Sequence, residues 1–522
     1  MAVSRFFAST VLYRIFPCGI FRLAAAAFAA AALLAGCTVG PGFQAPQPDA
    51  PVDWTSWQGG DAALHDPALR SNQAPVLPHW WQAFNDDVLN QLLARAEKAN
   101  PDLQTAALRF AQSRVQRQTV AAQHGPQVSA SAQAGRQRQS EHGAATRMIN
   151  VLAPAGSDDL VRLLSEPFNL YQAGFDASWE LDLWGRVRRS IEAADADSGA
   201  ASAALDGVRL GIVAEVARNY FEVRGLQGQV RLARADLSAA GEYLDLIQAR
   251  AGGGMNSDLD ATRQRALLAG LRARLPQLLE QEARTINQLS LLLGERPGAL
   301  QAELAAGADA SAGSNKPAGL NAPAAVVLPD LVLGLPSELA RRRPDIRQAE
   351  AKLHSATASI GVAVADLYPR ITLGASFGLE SIGSRDLGDW ASRRWTVGPS
   401  LDLPLFDMGR RRSIVTLRNL QQQEAAVAYQ QTVLKAWHEI DTALTAYTAE
   451  RQRNLQLAEQ QAQSDDAYRM ARVRYKNGLT SFLDALDAQR KMLAAQRDYV
   501  DSNSQLAIRF VAVHKALGAG IL

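Results

Sequence analysis

The residue types most able to do chemistry gather in one short motif. Ser481-Phe482-Leu483-Asp484-Ala485-Leu486-Asp487 follows a Lys476-Asn477-Gly478 turn, and Asp484 and Asp487, three apart, share one helix face. By itself an Asp-x-x-Asp pair mostly solvates a helix end, so a role in chemistry needs further support. No catalytic constellation competes with it. The seven histidines are scattered, with no His-x-x-x-His pair and no Cys/His cluster, so no metal site is expected. Gly252-Gly253-Gly254 lacks the Lys-Ser/Thr of a phosphate loop and lies between two helices, so it reads as a hairpin turn. Glu439-Ile440-Asp441 reads as solvated helix surface. Arg341-Arg342-Arg343 reads either as a patch for anionic lipid or as an exposed helix start before Pro344. The chain is therefore not expected to be an enzyme, and no cofactor is expected beyond a covalent lipid.

That lipid follows from the first 36 residues. Arg5, Arg14 and Arg22 precede or flank the apolar run Leu23 to Leu34, which ends in Leu34-Ala35-Gly36-Cys37. Small residues before a cysteine match a lipoprotein cleavage site, so 1–36 is expected to be a signal peptide and Cys37 the acylated first residue. Cys18 leaves with the signal, and no thiol or disulfide chemistry remains. Thr38, in place of an aspartate, directs such a lipoprotein to the outer membrane. Losing three arginines takes the formal charge from +2 to −1, which gives no footprint for nucleic acid. After residue 36 no apolar run approaches 18 residues, so no membrane-spanning helix is expected in the mature chain.

The elements that must carry the acidic motif come from an internal repeat. Asn100-Pro101-Asp102 and Gly125-Pro126 recur 243 residues later as Arg343-Pro344-Asp345 and Tyr368-Pro369. Gly174, Gly185, Gly254, Asp260 and Leu293-Gly294 recur 224 residues later as Gly398, Gly409, Gly478, Asp484 and Leu517-Gly518. One change of offset, 19 residues, places the only length difference in a single connection. Each copy reads as a helix, two strands and two long helices. The strands alternate with period two: Tyr171, Ala173, Phe175, Ala177, Trp179 and Leu181 against Gln172, Gly174, Asp176, Ser178 and Glu180. Ile371, Leu373, Ala375, Phe377 and Leu379 repeat the pattern, as do Trp395, Val397, Leu401, Leu403 and Leu405; 128–135 is weaker.

Strands of this length, with acids on one face and aromatics on the other, suit a tilted membrane barrel. Four strands cannot close one, and open edges in lipid leave backbone groups unsatisfied, so the chain is expected to oligomerise. The number of copies stays open at this point. The segments near 187–251 and 411–476 read as helices; the second would span about 95 Å at 1.5 Å per residue. Their apolar seams run through Val213, Val216, Tyr220, Val223, Leu226, Val230, Leu237, Leu244 and Ile247 in one copy and Trp437, Ile440, Leu444 and Tyr447 in the other.

Taken together, Cys37-Thr38-Val39-Gly40-Pro41, Trp80-Trp81 with Phe84, Glu180-Leu181-Asp182-Leu183-Trp184-Gly185-Arg186, Gly334-Leu335-Pro336, Arg341-Arg342-Arg343-Pro344-Asp345 and Leu367-Tyr368-Pro369 resemble the TolC family of outer-membrane factors, NodT-type lipoprotein branch. The resemblance covers essentially the whole mature chain. It departs at Gly42 and Phe43, where the family commonly has Asp and Tyr.

The resemblance implies an α+β membrane protein: a TolC-like homotrimer sharing a 12-stranded outer-membrane barrel, with a long periplasmic coiled-coil tunnel. The expected parts are a signal peptide (1–36), a lipid-anchored segment (37–85), a first repeat (86–294, strands near 127–139 and 170–184), a connector (295–336, mobile near 305–325) and a second repeat (337–522, strands near 370–380 and 394–405). It also implies a periplasmic adaptor, an inner-membrane pump of RND type and contact with outer-membrane lipid. Asp484 and Asp487 match the family's periplasmic aperture, and Tyr475 matches a tyrosine that latches the closed tip. In a trimer the acids would form two stacked rings favouring a cation. The family's latch arginine falls on Thr480, so the latch must differ. In the first copy Asp260 sits where Asp484 does, but Arg263 replaces the second acid, so the two hairpins are expected to be non-equivalent. Drug efflux, metal-ion efflux and type I protein secretion are not separable from sequence, although few methionines and histidines weigh against soft-metal export. A poreless coiled-coil lipoprotein would not need four two-faced strands.

Overall fold

The computed structural model describes residues 38–47, 78–143, 157–252, 257–310, 328–334 and 342–520, with short pieces between 50 and 65 and at 147 and 336–338. Cys37, Gly253, Gly254 and Arg341 lie outside the described residues. In chain order the main elements are α1 (Asp87–Ala99), α2 (Pro101–Ala121), β1 (Gln127–Gln137), α3 (Ser157–Ser165), β2 (Phe168–Leu181), α4 (Arg186–Gly252) and α5 (Asp258–Leu292). They continue with α6 (Gln301–Ala310), α7 (Pro344–Ala365), β3 (Arg370–Ser381), β4 (Arg393–Asp402), α8 (Arg410–Lys476) and α9 (Phe482–Ala516).

The repeat is visible in the element lengths. α4 and α8 each have 67 residues, and α5 and α9 each have 35. The repeated Leu-Gly pairs are their stops. Gly294 and Gly518 take φ of +68° and +72°, where a side chain is strained, and let the next amide reach back to the helix. Glu295 N–H donates to the Ser290 carbonyl at 2.8 Å, and Ala519 N–H to that of His514 at 2.9 Å. The 19-residue difference falls in the β1–β2 connection, which contains α3; the sequence reading had no helix there. Within the expected connector, α6 is helical.

Two compact units divide the chain. Its first unit takes in the described residues of 38–43, 116–195 and 354–423, and holds one antiparallel sheet in the order β1-β2-β3-β4. β1 and β4 are its edges. α4 starts cleanly because the Asp182 carboxylate accepts from the amides of Val187 (3.0 Å) and Arg188 (2.9 Å), meeting the orphan donors of its first turn. Trp184 stacks on Tyr368 at 4.9 Å and donates to the Pro369 carbonyl, tying the end of β2 to the start of β3.

The second unit takes in 44–115, 196–353 and 424–522. Its core collects the expected seams: Val213, Val216, Tyr220 and Val223 of α4 join Ile440, Leu444 and Tyr447 of α8, with Leu89 and Leu92 of α1 and Phe510 of α9. Full burial of a side chain such as Phe510 contributes about 1.5–3 kcal/mol. Trp80 stacks on His514 at 4.8 Å, and Trp54 and Trp57 both pack on Trp437. α9 comes close to α4 at Gly225, where an added Cβ would lie 2.5 Å from that of Ser504.

One surface reading is corrected here. Arg343 is buried: its guanidinium donates to Asp345, to Glu439 at 2.6 Å and to the Ala516 carbonyl at 3.0 Å, so it is neither a lipid patch nor an exposed helix start. Glu439 stays exposed on the helix surface while pairing with Arg343, and the half-buried Asp441 accepts from the Gly59 amide at 3.1 Å.

Candidate functional site

In the first unit the site is the pair of faces that the sheet presents. Residues directly opposite in an antiparallel pair share a face. Phe175 stands opposite Ala130 and Phe377, and Phe377 opposite Trp395. Ala177 stands opposite Val128 and Ala375, and Ala375 opposite Val397; Leu181 meets Ile371, which meets Leu401. These rows form one continuous apolar face across all four strands. It is open: Phe175, Phe377, Trp395, Val397 and Leu401 are 59%, 47%, 67%, 61% and 66% exposed, a patch far beyond what water tolerates without a partner phase.

The opposite face is polar. Asp176 stands opposite Ser129 and Ser376, and Ser376 opposite Thr396; Glu180 meets Thr372, which meets Ser400. Gln172 donates to Glu380 at 2.8 Å, and Arg394 pairs with the same carboxylate at 2.9 Å. Gly174 and Gly378 face each other there, and a Cβ on Gly174 would lie 2.9 Å from the Gly378 Cα, so this close strand contact excludes side chains. A sheet apolar on one side, polar on the other and unpaired at β1 and β4 is a section of wall between lipid and water.

In the second unit the expected site residues gather at the α8–α9 turn. Gly478 takes φ of +74°, and the amide of Leu479 donates to the Arg474 carbonyl at 2.8 Å, so α8 stops in a tight reversal. Ser481 and Asp484 then form a reciprocal cap for α9. The Asp484 carboxylate accepts from Ser481 Oγ and Thr480 Oγ1, each at 2.7 Å, and from the Ser481 amide at 3.2 Å. Those bonds, the Ser481 hydroxyl foremost, hold Asp484 below the usual carboxylate range and so ionised. Asp487 pairs with Lys491 at 2.8 Å, one turn along the same helix. Both acids are exposed at the tip.

Tyr475 is placed differently: it is buried with Tyr243, Ile247, Ala261, Phe482, Ala485 and Leu486. Sequence reasoning missed two partners here. Thr480, standing where an arginine was expected, binds Asp484, a bond that the spacing Thr-x-x-x-Asp allowed. Arg250, at the end of α4, lies over the Tyr475 ring at 5.1 Å; 225 residues separate them, and no local pattern announces the contact. Ser257 caps α5, its Oγ accepting from the Asp260 amide, and the Asp260 carboxylate approaches Arg263 at 3.9 Å, so the acid equivalent to Asp484 is paired with a cation in the first hairpin. Among the described residues no group of three or more His, Cys, Asp or Glu is placed to hold a metal, and no helix is long and apolar enough to cross a membrane.

This geometry has close relatives. Residues 92–295 and 335–519 match the family described as outer membrane efflux protein. The outer membrane protein OprJ of Pseudomonas aeruginosa is 32% identical over 499 residues, covering 95% of this chain and 96% of that protein. The pyoverdine export outer membrane protein OpmQ of Pseudomonas putida is 32% identical over 461 residues, covering 88% and 92%. Among solved structures, the outer-membrane channel OprN superposes with a TM-score of 0.77 at 32% identity, covering 93% of this chain and 99% of that one.

Proposed function

The chain belongs to the outer membrane efflux protein family, and we propose that it works as the passive exit duct of a three-part pump, with its cargo driven from the inner membrane. It is an efflux channel of the Gram-negative outer membrane, with the fold of the TolC-like trimers: a shared β-barrel and a periplasmic helical tunnel. That is a channel family, not an enzyme family.

The observation that carries this reading is the two-faced sheet with both edges unpaired. Among the described residues a single subunit offers four strands, too few to enclose a lumen. Pairing β1 of one copy with β4 of the next satisfies every edge, sets the apolar rows against lipid and turns Asp176, Glu180 and Glu380 toward water. Three copies make twelve strands.

The finer assignments rest on the residues. Cys37 is the lipid-bearing first residue, and its acyl chains anchor each subunit to the outer membrane. A periplasmic adaptor and an RND-type inner-membrane pump complete the machine. The cargo is a small molecule, in keeping with a relative named for pyoverdine export. Asp484 and Asp487 form the periplasmic constriction, with Tyr475 buried beneath them as the latch. Three copies of each acid around an axis gather carboxylates in one ring apiece and favour a cation.

Single-channel recording in planar bilayers tests the constriction. The double variant Asp484→Ala, Asp487→Ala is expected to lose block by an added trivalent cation and to change conductance. Unchanged block and conductance would remove the acids from the aperture.

A further inference from the structure

The end of α8 presents carbonyl groups with no next turn to accept from. Most find a partner locally: the amides of Asn477, Gly478 and Leu479 donate to the carbonyls of Val473, Tyr475 and Arg474 at 3.1, 3.0 and 2.8 Å. The Lys476 carbonyl is met from elsewhere. Arg250, in the last turn of α4, donates Nη2 to it at 2.8 Å and Nη1 to the Tyr475 carbonyl at 3.3 Å, while its guanidinium covers the Tyr475 ring. A planar fork that grips two carbonyls and stacks on an aromatic face is a geometry lysine cannot reproduce. The charge also lies at the negative ends of two helices at once, its own and α8.

The grip joins the two halves of the repeat. Arg250 stands one residue before the position equivalent to Tyr475, so it is the first hairpin that holds the turn of the second. Under this clamp Tyr243 of α4 meets Tyr475 of α8 at 5.9 Å and Phe482 of α9 at 6.2 Å, and Tyr475 meets Phe482 at 6.0 Å. Phe482 opens the helix on which Asp484 and Asp487 stand. A displacement of the α8 turn would therefore carry both acids with it.

We propose that Arg250 is the positioning residue that pins the tip of the second hairpin to the first and so keeps the Asp484–Asp487 face in its constricting place. This rests on the reading of those acids as the constriction. Opening the duct then requires the Arg250 fork to leave the Tyr475 and Lys476 carbonyls.

The test uses the full-length lipidated trimer in planar bilayers. Arg250→Ala is expected to raise single-channel conductance at least twofold over wild type, with trivalent-cation block still present because the acids remain. Arg250→Lys, which keeps the charge but not the fork, is expected to fall between the two. Should Arg250→Ala not assemble, Arg250→Gln keeps the stem and is held to the same increase. Conductance equal to wild type in an assembled Arg250→Ala or Arg250→Gln trimer overturns the inference. That result leaves the constriction standing, because the constriction is judged separately by loss of block in the Asp484→Ala, Asp487→Ala chain.

Discussion

Ala375 and Ser376 are neighbours of similar size in the middle of β3, and they differ chiefly in which face of the sheet they occupy. Ala375 stands between Ala177 and Val397, and Ser376 between Asp176 and Thr396. Replacing each in turn with arginine asks the wall which side is lipid. At position 375 the guanidinium enters the apolar band near its middle, where arginine costs about 2–4 kcal/mol per strand position. That is roughly 30- to 700-fold in the folding equilibrium of a subunit. Three copies bring the cost to about 6–12 kcal/mol per trimer. At position 376 the same group enters the aqueous side opposite Asp176 and is expected to cost well under about 1 kcal/mol, the range of an exposed ion pair. Urea unfolding in lipid vesicles is expected to place Ala375→Arg far below wild type and Ser376→Arg beside it. The reversal potential of Ser376→Arg under a salt gradient should move toward anion permeation. If both variants unfolded alike, the sheet would be buried on both sides and the wall reading would fail; if Ser376→Arg alone were destabilised, the faces would be reversed.

Two further expectations concern the helical unit. Burial lowers His514 to about 4, while the unfolded chain takes up that proton near 6.5. The stability from burying the neutral ring is therefore complete above about pH 6.5 and lost as pH falls toward about 4, an effect of roughly 3 kcal/mol per subunit. His514→Leu should flatten that acid slope in urea-midpoint measurements at pH 7 and pH 4.5; an equal slope would count against it. Gly225→Ala adds a methyl group into Ser504, so although alanine favours a helix by about 1 kcal/mol over glycine, this change should destabilise by about 1–3 kcal/mol. Adding Ser504→Gly should restore the melting temperature in part, and no restoration would deny the contact.

The sheet was legible because a period of two is a strictly local signal, and because a second copy of the unit lay in the same chain to check it against. Phe175 and Phe377 could be assigned to one face without knowing that they are cross-strand partners. The length of α8 was legible because no glycine or proline interrupts it, and that of α4 because it repeats α8 at a constant offset. Helix α3 was not: the change in repeat spacing located an insertion but carries no information on its conformation. Arg343 was misread as surface because its partners Glu439 and Ala516 are remote in sequence, and an arginine triplet gives no hint of burial. At the tip, Asp484 was recognised as an acid on a helix face, yet its use as a cap was also written in Ser481-x-x-Asp484. What no pattern offered was Arg250, whose partners belong to the other half of the repeat.

An exit duct of this kind depends on subunits sharing one wall, and stoichiometry measured together with conductance tests this most directly. Native mass spectrometry of the detergent-solubilised lipoprotein, followed by bilayer recording from the same sample, is expected to give a trimer, no folded monomer, and ion-conducting pores. A folded, stable monomer that passes no ions would contradict a shared wall, because a four-stranded sheet with two free edges would then be sufficient alone.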